Sequence, residues 1–345
     1  MRRYRRFAVL AAALTLSAGL APLLAPVSAH ADTATTMTPA DLVAALTAAE
    51  APSASAGQGG WLAQGTDTPA GGPTSAMKAV YAVSRGTIDA GNGNAMVEAQ
   101  HSGTYITLSS MGGPRTVSAV RAALAKPNAA WVFVPDGSLD LLASDPSNPL
   151  PHIAPDGVLR QLVDPTQTKV AGSPTSSVDA SGNTTYSFSD TDLTAGSAQG
   201  TATVTIDANG VLTAASMTST VEAATFAYTY GPQQVALPPA ASTITQAQFI
   251  EGTFLATLPA QVKRAATMTA AQATRTAHHR AVKQGAIRTA ATRTVAVPNQ
   301  IVGARVFTTK AIPGGVRITG TNRYTGQRVA YTVTASGKRA IARKA

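Results

Sequence analysis

The 345-residue chain contains no cysteine. That excludes a disulfide framework, a thiolate metal centre and a lipid-bearing N-terminal cysteine, so the fold must be held by its core alone. Histidine is nearly as scarce: beyond the first 31 residues it occurs only at His101, His152, His278 and His279. A zinc site wants three or four ligands at short spacing, and adjacent histidines on a helix point about 100° apart, so no metal ion or cofactor is expected. Acidic residues disappear after Leu258. Pro259–Ala345 holds 16 Lys and Arg and no Asp or Glu, whereas Thr33–Leu258 holds 7 basic against 16 acidic residues. The overall charge of +10 is therefore an acidic body of −9 carrying a basic appendage of +16, which places a boundary near Pro259.

A long apolar run occurs only at the start. Arg2, Arg3, Arg5 and Arg6 precede Phe7–Leu24, followed by Pro26 and the small-residue site Ala29-His30-Ala31. This reads as a signal peptide over residues 1–31, released by the general secretory route, with no stable transmembrane anchor after cleavage. The expected location is extracytoplasmic, in the cell envelope. Arg outnumbers Lys 19 to 8, a usage typical of a GC-rich genome such as an actinobacterium's.

Catalytic signatures are missing as well. There is no G-x-S-x-G elbow, no H-E-x-x-H and no glycine-rich phosphate loop. Ser75-Ala76-Met77-Lys78 matches S-x-x-K, but it lacks a K-T-G partner and precedes a strand instead of opening a helix. Asp190 and Asp192 follow a strand in a Ser/Thr/Gly turn and read as turn caps and not as a glycosidase pair. The chain is expected not to be an enzyme.

What remains is strand periodicity and turns, an α+β pattern. Thr201–Asp207 alternates apolar and polar residues, Asp207-Ala208-Asn209-Gly210 supplies a turn, and Val211–Tyr230 is expected to return beside it as one long strand closing the sheet. Phe226, Tyr228 and Tyr230 then share a face. Upstream, Thr38-Pro39-Ala40-Asp41 opens a helix that gives way to a flexible Ala51–Gly60. Strands are expected from Trp61, over Met77–Asp89, Met96–Gln100, Thr104–Ser109 and Trp131–Val134, with a turn at Pro135-Asp136-Gly137 into Ser138–Ala143. Val117, Val120 and Leu124 mark a helix stopped by Pro127, Ser144–Pro155 a covering loop, and Asp156–Val163 a short helix. Thr243 paired with Gln246 predicts a capped helix showing Ile250, Phe254 and Leu258 on one side. In the tail, 259–295 reads as a basic Ala/Thr-rich linker or helix. Residues 296–345 form a small basic β module of three strands, Gln300–Thr309, Gly315–Asn322 and Gln327–Thr334.

The order of elements resembles the LolA/LppX-like lipoprotein-carrier group. Leu159-Arg160-Gln161-Leu162, Val170-Ala171-Gly172, Tyr186, Val204-Thr205-Ile206-Asp207, Gly210-Val211-Leu212, Tyr228-Thr229-Tyr230-Gly231 and Pro238 carry the likeness, over roughly Thr38–Pro239. It implies a curved antiparallel half-barrel over 32–258, closed by short helices around a cavity for acyl chains. The lipid-anchor cysteine common in the LppX branch is absent here. Candidate cavity residues are Trp61, Tyr81, Met96, Tyr105, Trp131, Phe133, Leu159, Leu162, Tyr186, Phe188, Met217, Phe226 and Tyr228. Burying an acyl chain is worth about 0.8 kcal/mol per CH₂, so such a cavity binds without any motif.

The tail offers Lys263, Arg264, Arg275, Arg280, Lys283, Arg288 and Arg293 as anion-binding residues. Phe307, Tyr324 and Tyr331 are its only aromatic residues after Leu258, too few for stacking bases, so a wall polyanion or an envelope protein is expected ahead of nucleic acid. Two readings follow. One is a secreted carrier or sensor for a lipid or lipopeptide; the other is an RseB-like regulatory module that binds an envelope protein without lipid.

Overall fold

A computed structural model describes residues 34–91, 94–99, 102–135, 152–166, 168–192, 198–220 and 222–345, with backbone alone at 190–192, 198, 199 and 222. The leader, His101, the expected hairpin through Ser138–Ala143 and most of the Ser144–Pro155 loop lie outside them. In chain order the elements are β1 (Thr35–Thr36), α1 (Pro39–Gly57), β2 (Trp61–Pro69), β3 (Ser75–Tyr81), β4 (Arg85–Asp89), β5 (Ala95–Ala99), β6 (Gly103–Thr107), α2 (Leu108–Met111), α3 (Pro114–Ala123) and β7 (Trp131–Pro135). Then come α4 (Pro155–Val163), β8 (Thr168–Val178), β9 (Thr184–Asp192), β10 (Ala198–Ile206), β11 (Leu212–Ser219), β12 (Glu222–Tyr230) and β13 (Thr243–Thr245). The chain ends with α5 (Gln246–Ala256), α6 (Leu258–Thr276), α7 (Gln284–Val302), β14 (Phe307–Ile312), β15 (Gly315–Thr321), β16 (Arg328–Ser336) and β17 (Arg339–Lys344). They form two compact units, Met1–Ser110 with Val134–Pro238, and Met111–Phe133 with Pro239–Ala345.

The first unit is α+β, built on a large antiparallel sheet in the order β1-β8-β9-β10-β11-β12-β2-β3-β4-β5-β6. No ladder among the described residues joins β1 to β6, so the sheet stays open. The expected single strand Val211–Tyr230 is two, β11 and β12, paired with each other, and they lie inside the sheet instead of closing it. Met77–Asp89 likewise divides into β3 and β4, because Ala82 and Arg85 exchange both backbone hydrogen bonds around Val83-Ser84. Val83 there has φ +56°, the positive value a two-residue hairpin demands of its first turn residue and one a β-branched side chain resists. Neither break carries the Gly or Pro that would mark it in sequence.

Two turns share one device. Asp179 and Asp207 each accept backbone N–H bonds two and four residues on, at 2.8–2.9 Å, and a glycine of φ +81° follows, Gly182 and Gly210. Hydrogen bonds from Asn183 and the nearby backbone hold the Asp179 carboxyl below the usual range.

Helix α1 starts as expected. The Thr38 hydroxyl accepts the Asp41 N–H at 3.1 Å, and the Asp41 carboxylate accepts the Thr38 hydroxyl at 2.6 Å and the Thr38 N–H at 3.3 Å, bonds that lower its pKa. It does not stop at Ala51 but runs through Pro52 to Gly57. The small residues of its second half let it lie close on the sheet: the buried Ser53 hydroxyl accepts the Leu212 N–H at 3.0 Å, and a Cβ on Gly57 would sit 3.2 Å from the Trp61 ring. Leu42, Leu46 and Ala49 of α1 and Val158, Leu159 and Leu162 of α4 share one core with the sheet's Trp61, Ala79, Ile88, Phe188, Val204, Leu212 and Tyr228.

The second unit joins a parallel pair, β7 with β13, to an antiparallel sheet β14-β15-β16-β17 and four helices. Helix α6 begins with Pro259 in its first turn, so the compositional break falls inside the start of a helix. Buried alanines make the contact surface: Ala265, Ala266, Ala270 and Ala273 of α6 and Ala290 and Ala291 of α7 pack with Phe307, Val316, Ile318 and Val333 of the sheet. A Cβ on Gly320 would lie 2.4 Å from Val262 and 2.9 Å from Leu258, which shows how flat α6 lies there. The capping box is Thr245 with Gln248, two residues later than expected, because Thr243–Thr245 forms a strand first. Ile250 is exposed, Phe254 packs on Phe307 with ring centroids 5.6 Å apart, and Leu258 belongs to α6. Gln300 is helical, and the expected three-stranded module has a fourth strand in Arg339–Lys344.

Candidate functional site

Two regions gather the chemistry. The first is the sheet face on which α1 and α4 lie. Register places Phe188, Ala202, Met217, Ala224, Asp67 and Ser75 in one line across six strands. The next line is Tyr186, Val204, Ala215, Phe226, Gly65 and Met77. Side chains two apart on a strand share a face, so Asp67 is diagonal to Phe226 and Met77. Large side chains thus flank a strip whose centre is Ala and Gly.

Asp67 is the anomaly of this face. It is 1% exposed, and neither carboxylate oxygen has a hydrogen-bond partner. A buried carboxylate is normally paired or hydrogen-bonded, because losing its hydration uncompensated costs several kcal/mol. The alternation Trp61-x-Ala63-x-Gly65-x-Asp67 carried this signal in the sequence, since it puts a charge on the apolar side of β2.

The aromatic candidates divide. Trp61, Leu159, Leu162, Phe188 and Tyr228 are packed core, whereas Tyr81, Tyr186, Met217 and Phe226 are partly buried against it. Trp61 lies 6.3 Å from Tyr81 and 6.4 Å from Tyr228, ring centre to ring centre. Tyr228 donates its hydroxyl to the Ile153 carbonyl at 2.9 Å and Tyr230 to that of Leu212. Burial, with smaller contributions from nearby negative groups, pushes both phenols well above the usual tyrosine range. Met96 and Tyr105 are half-buried but on opposite faces, since Met96 pairs with Ile106 while Tyr105 pairs with Val97. Trp131 and Phe133 belong to the second unit, beside β13.

Ser75 and Lys78 point to opposite sides of β3, Ser75 buried and Lys78 exposed, so the S-x-x-K spacing brings no ammonium to the hydroxyl. Asp190 and Asp192 fall inside β9 and not in a turn, their side chains outside the described residues. His278 and His279 follow α6 in a left-handed turn, with φ +47° and +67°, instead of sitting on a helix. Among the described residues no group of three or more His, Asp or Glu is placed to hold a metal.

The second region is the surface of the second unit. Its two segments hold 19 basic residues and one acid, Glu251; the first unit from Thr33 onward holds 4 basic and 15 acidic. Arg115, Arg121 and Lys126, which sit in the acidic stretch of the sequence, belong to the basic unit. Glu251 is buried: one oxygen accepts Arg323 at 2.6 Å and the Tyr324 hydroxyl at 2.8 Å, while the other has no partner. Lys263, Arg264 and Arg275 are exposed on α6, Arg280 and Lys283 between the helices, and Arg288 and Arg293 on α7. No helix of the described residues is long and apolar enough to cross a membrane.

No protein-family model and no curated protein matches the chain. Among solved structures, the chain is similar to an uncharacterized conserved protein from Thermus thermophilus at 7% identity and a TM-score of 0.30, over 61% of this chain and 100% of that one. A likeness of that size carries no inference about fold or function.

Proposed function

We propose that the first unit is an exported, non-enzymatic carrier or sensor for an amphiphile, on a LolA-like half-barrel, and that the basic second unit attaches it within the envelope. The observation that carries this reading is Asp67, a buried carboxylate without a partner at the end of a strip of small residues flanked by Met217, Phe226, Phe188 and Met77. An apolar chain laid along the strip gains about 0.8 kcal/mol per buried CH₂. A ligand amine or hydroxyl at its end supplies the donor that Asp67 lacks, which selects amphiphiles with a cationic or hydroxylic head over carboxylates.

The test is native mass spectrometry of the mature protein, with titration by fluorescent dodecylamine and dodecanoate. The expected result is co-purified amphiphile and a preference for the amine of about tenfold or more, lost in Asp67→Asn. A clean apo mass together with no uptake of either probe overturns the reading. The division of charge between the units favours a second reading, an RseB-like module for an envelope protein. Recovery of one stoichiometric protein partner from envelope extract by lipid-free protein would select it.

A further inference from the structure

We infer that the solvent face of the four-stranded sheet is a binding surface for a linear phosphate polyanion, recognised by its charge. Strands alternate their side chains, and the parity that buries Phe307, Val316, Ile318 and Val333 sends the other residues outward. On that outward side Lys310, Arg317, Thr332 and Arg343 stand in one line across all four strands. Arg328, opposite Thr321, and Arg339, opposite Ser336, share the face, and Thr308, Thr319 and Thr334 fill positions between. All five cations are exposed.

Neighbouring strands are about 4.8 Å apart, so Lys310 and Arg317 are like charges directly opposite one another, an arrangement that destabilises a sheet. Nothing within the unit relieves it. The sequence has no acidic residue after Glu251, and the ion pairs among the described residues involve only Arg160 and Arg323. A repeating phosphate chain does relieve it: guanidinium groups take phosphate oxygens in pairs, threonine hydroxyls donate to the same oxygens, and counterion release adds to affinity. The face carries no aromatic ring, so it offers no platform for stacked bases and reads charge alone. The helix cations are arranged differently. Arg288 and Arg293 are five residues apart on α7, about 140° around its axis, and form no single stripe.

This surface stands apart from the amphiphile reading, and its test does not involve Asp67. Binding of long-chain inorganic polyphosphate to the full mature protein is measured by fluorescence anisotropy from 50 to 300 mM salt, beside 20% phosphatidylglycerol vesicles and a duplex DNA. Arg317→Thr with Arg343→Thr is compared with Arg288→Thr with Arg293→Thr, which removes the same charge from α7. The expected result is a loss of about tenfold or more at 150 mM salt for the sheet pair, with a salt slope smaller by about two, and less than threefold for the helix pair. The melting temperature of the sheet pair should hold or rise, which separates lost binding from lost folding. Equal losses for the two pairs reduce the effect to net charge and overturn the inference, as does absence of polyphosphate binding at 150 mM salt. Tighter binding to vesicles or duplex than to polyphosphate, or self-association that the sheet pair abolishes, assigns the face to another occupant and also overturns it.

Discussion

Each of the two units covers one face of a sheet with two helices, and they do it with different side chains. In the second, α6 and α7 follow one another and meet the sheet through alanines interspersed with Leu258, Val262 and Ile287, and Gly320 leaves the room that Val262 and Leu258 fill. In the first, α1 and α4 are about a hundred residues apart and rest on Trp61, Tyr228 and Phe188, leaving Tyr186, Met217 and Phe226 only partly covered. A side chain has no room at Gly320, so that contact tolerates no added volume. In the first unit the large side chains on the face under α1 and α4 keep part of their surface exposed, and the buried, unpaired carboxylate of Asp67 lies on that same face. The charges divide between the same two units, the first acidic and the second basic.

The buried carboxylates give the sharpest contrast, because they predict opposite signs. Glu251→Gln weakens the bonds from Arg323 and Tyr324 and should destabilise by about 2 kcal/mol, toward the low end for a charged pair since Arg323 is 61% exposed. Asp67→Asn removes an uncompensated charge and should stabilise the ligand-free protein by about 1–2 kcal/mol. Guanidinium melts at pH 7 read both, and two losses of equal sign would erase the distinction.

Added volume comes next. Gly320→Ala pushes a methyl into Val262 and Leu258 and should cost about 1–3 kcal/mol. Ala224→Val, on the strip beside Asp67, should cost under about 1 kcal/mol while lowering amphiphile uptake. A costly Ala224→Val would mean that this strip is packed as tightly as the alanine contacts of α6.

The smallest effect concerns pH. Tyr228 keeps its proton in the folded state above pH 10, where the unfolded chain loses it, so the unfolded state then binds fewer protons and stability falls as pH rises beyond 10. Tyr228→Phe should cost about 1 kcal/mol at pH 7 through the bond to Ile153 and should flatten part of that alkaline decline. An unchanged slope would place the titration elsewhere.

Much of this layout was legible in the residues. Thr38, Pro39 and Asp41 announced α1, Asp207 and Gly210 a turn, and alternation most of the strands. What stayed hidden was non-local. Val211–Tyr230 breaks in a run of small β-formers that holds no punctuating glycine or proline, and α1 passes Pro52 because Ser53 and Gly57 gain contacts on a sheet not yet visible from the helix. Arg115, Arg121 and Lys126 join the basic unit through packing of α3 with α5, which chain order conceals. Asp67 is put on the apolar side by the alternation of β2 alone. It is one polar residue in an alternation otherwise dominated by Trp61 and Ala63, and only burial without a partner singles it out.

The interleaving of the two units sets a timetable for the nascent chain. Val120, Ala123 and Leu124 emerge during synthesis more than a hundred residues before Gly252, Asn322 and the α6 helix that complete their surroundings. The basic unit therefore cannot mature until the last strand has been delivered, and α3 must stay soluble, or be sheltered, throughout the wait.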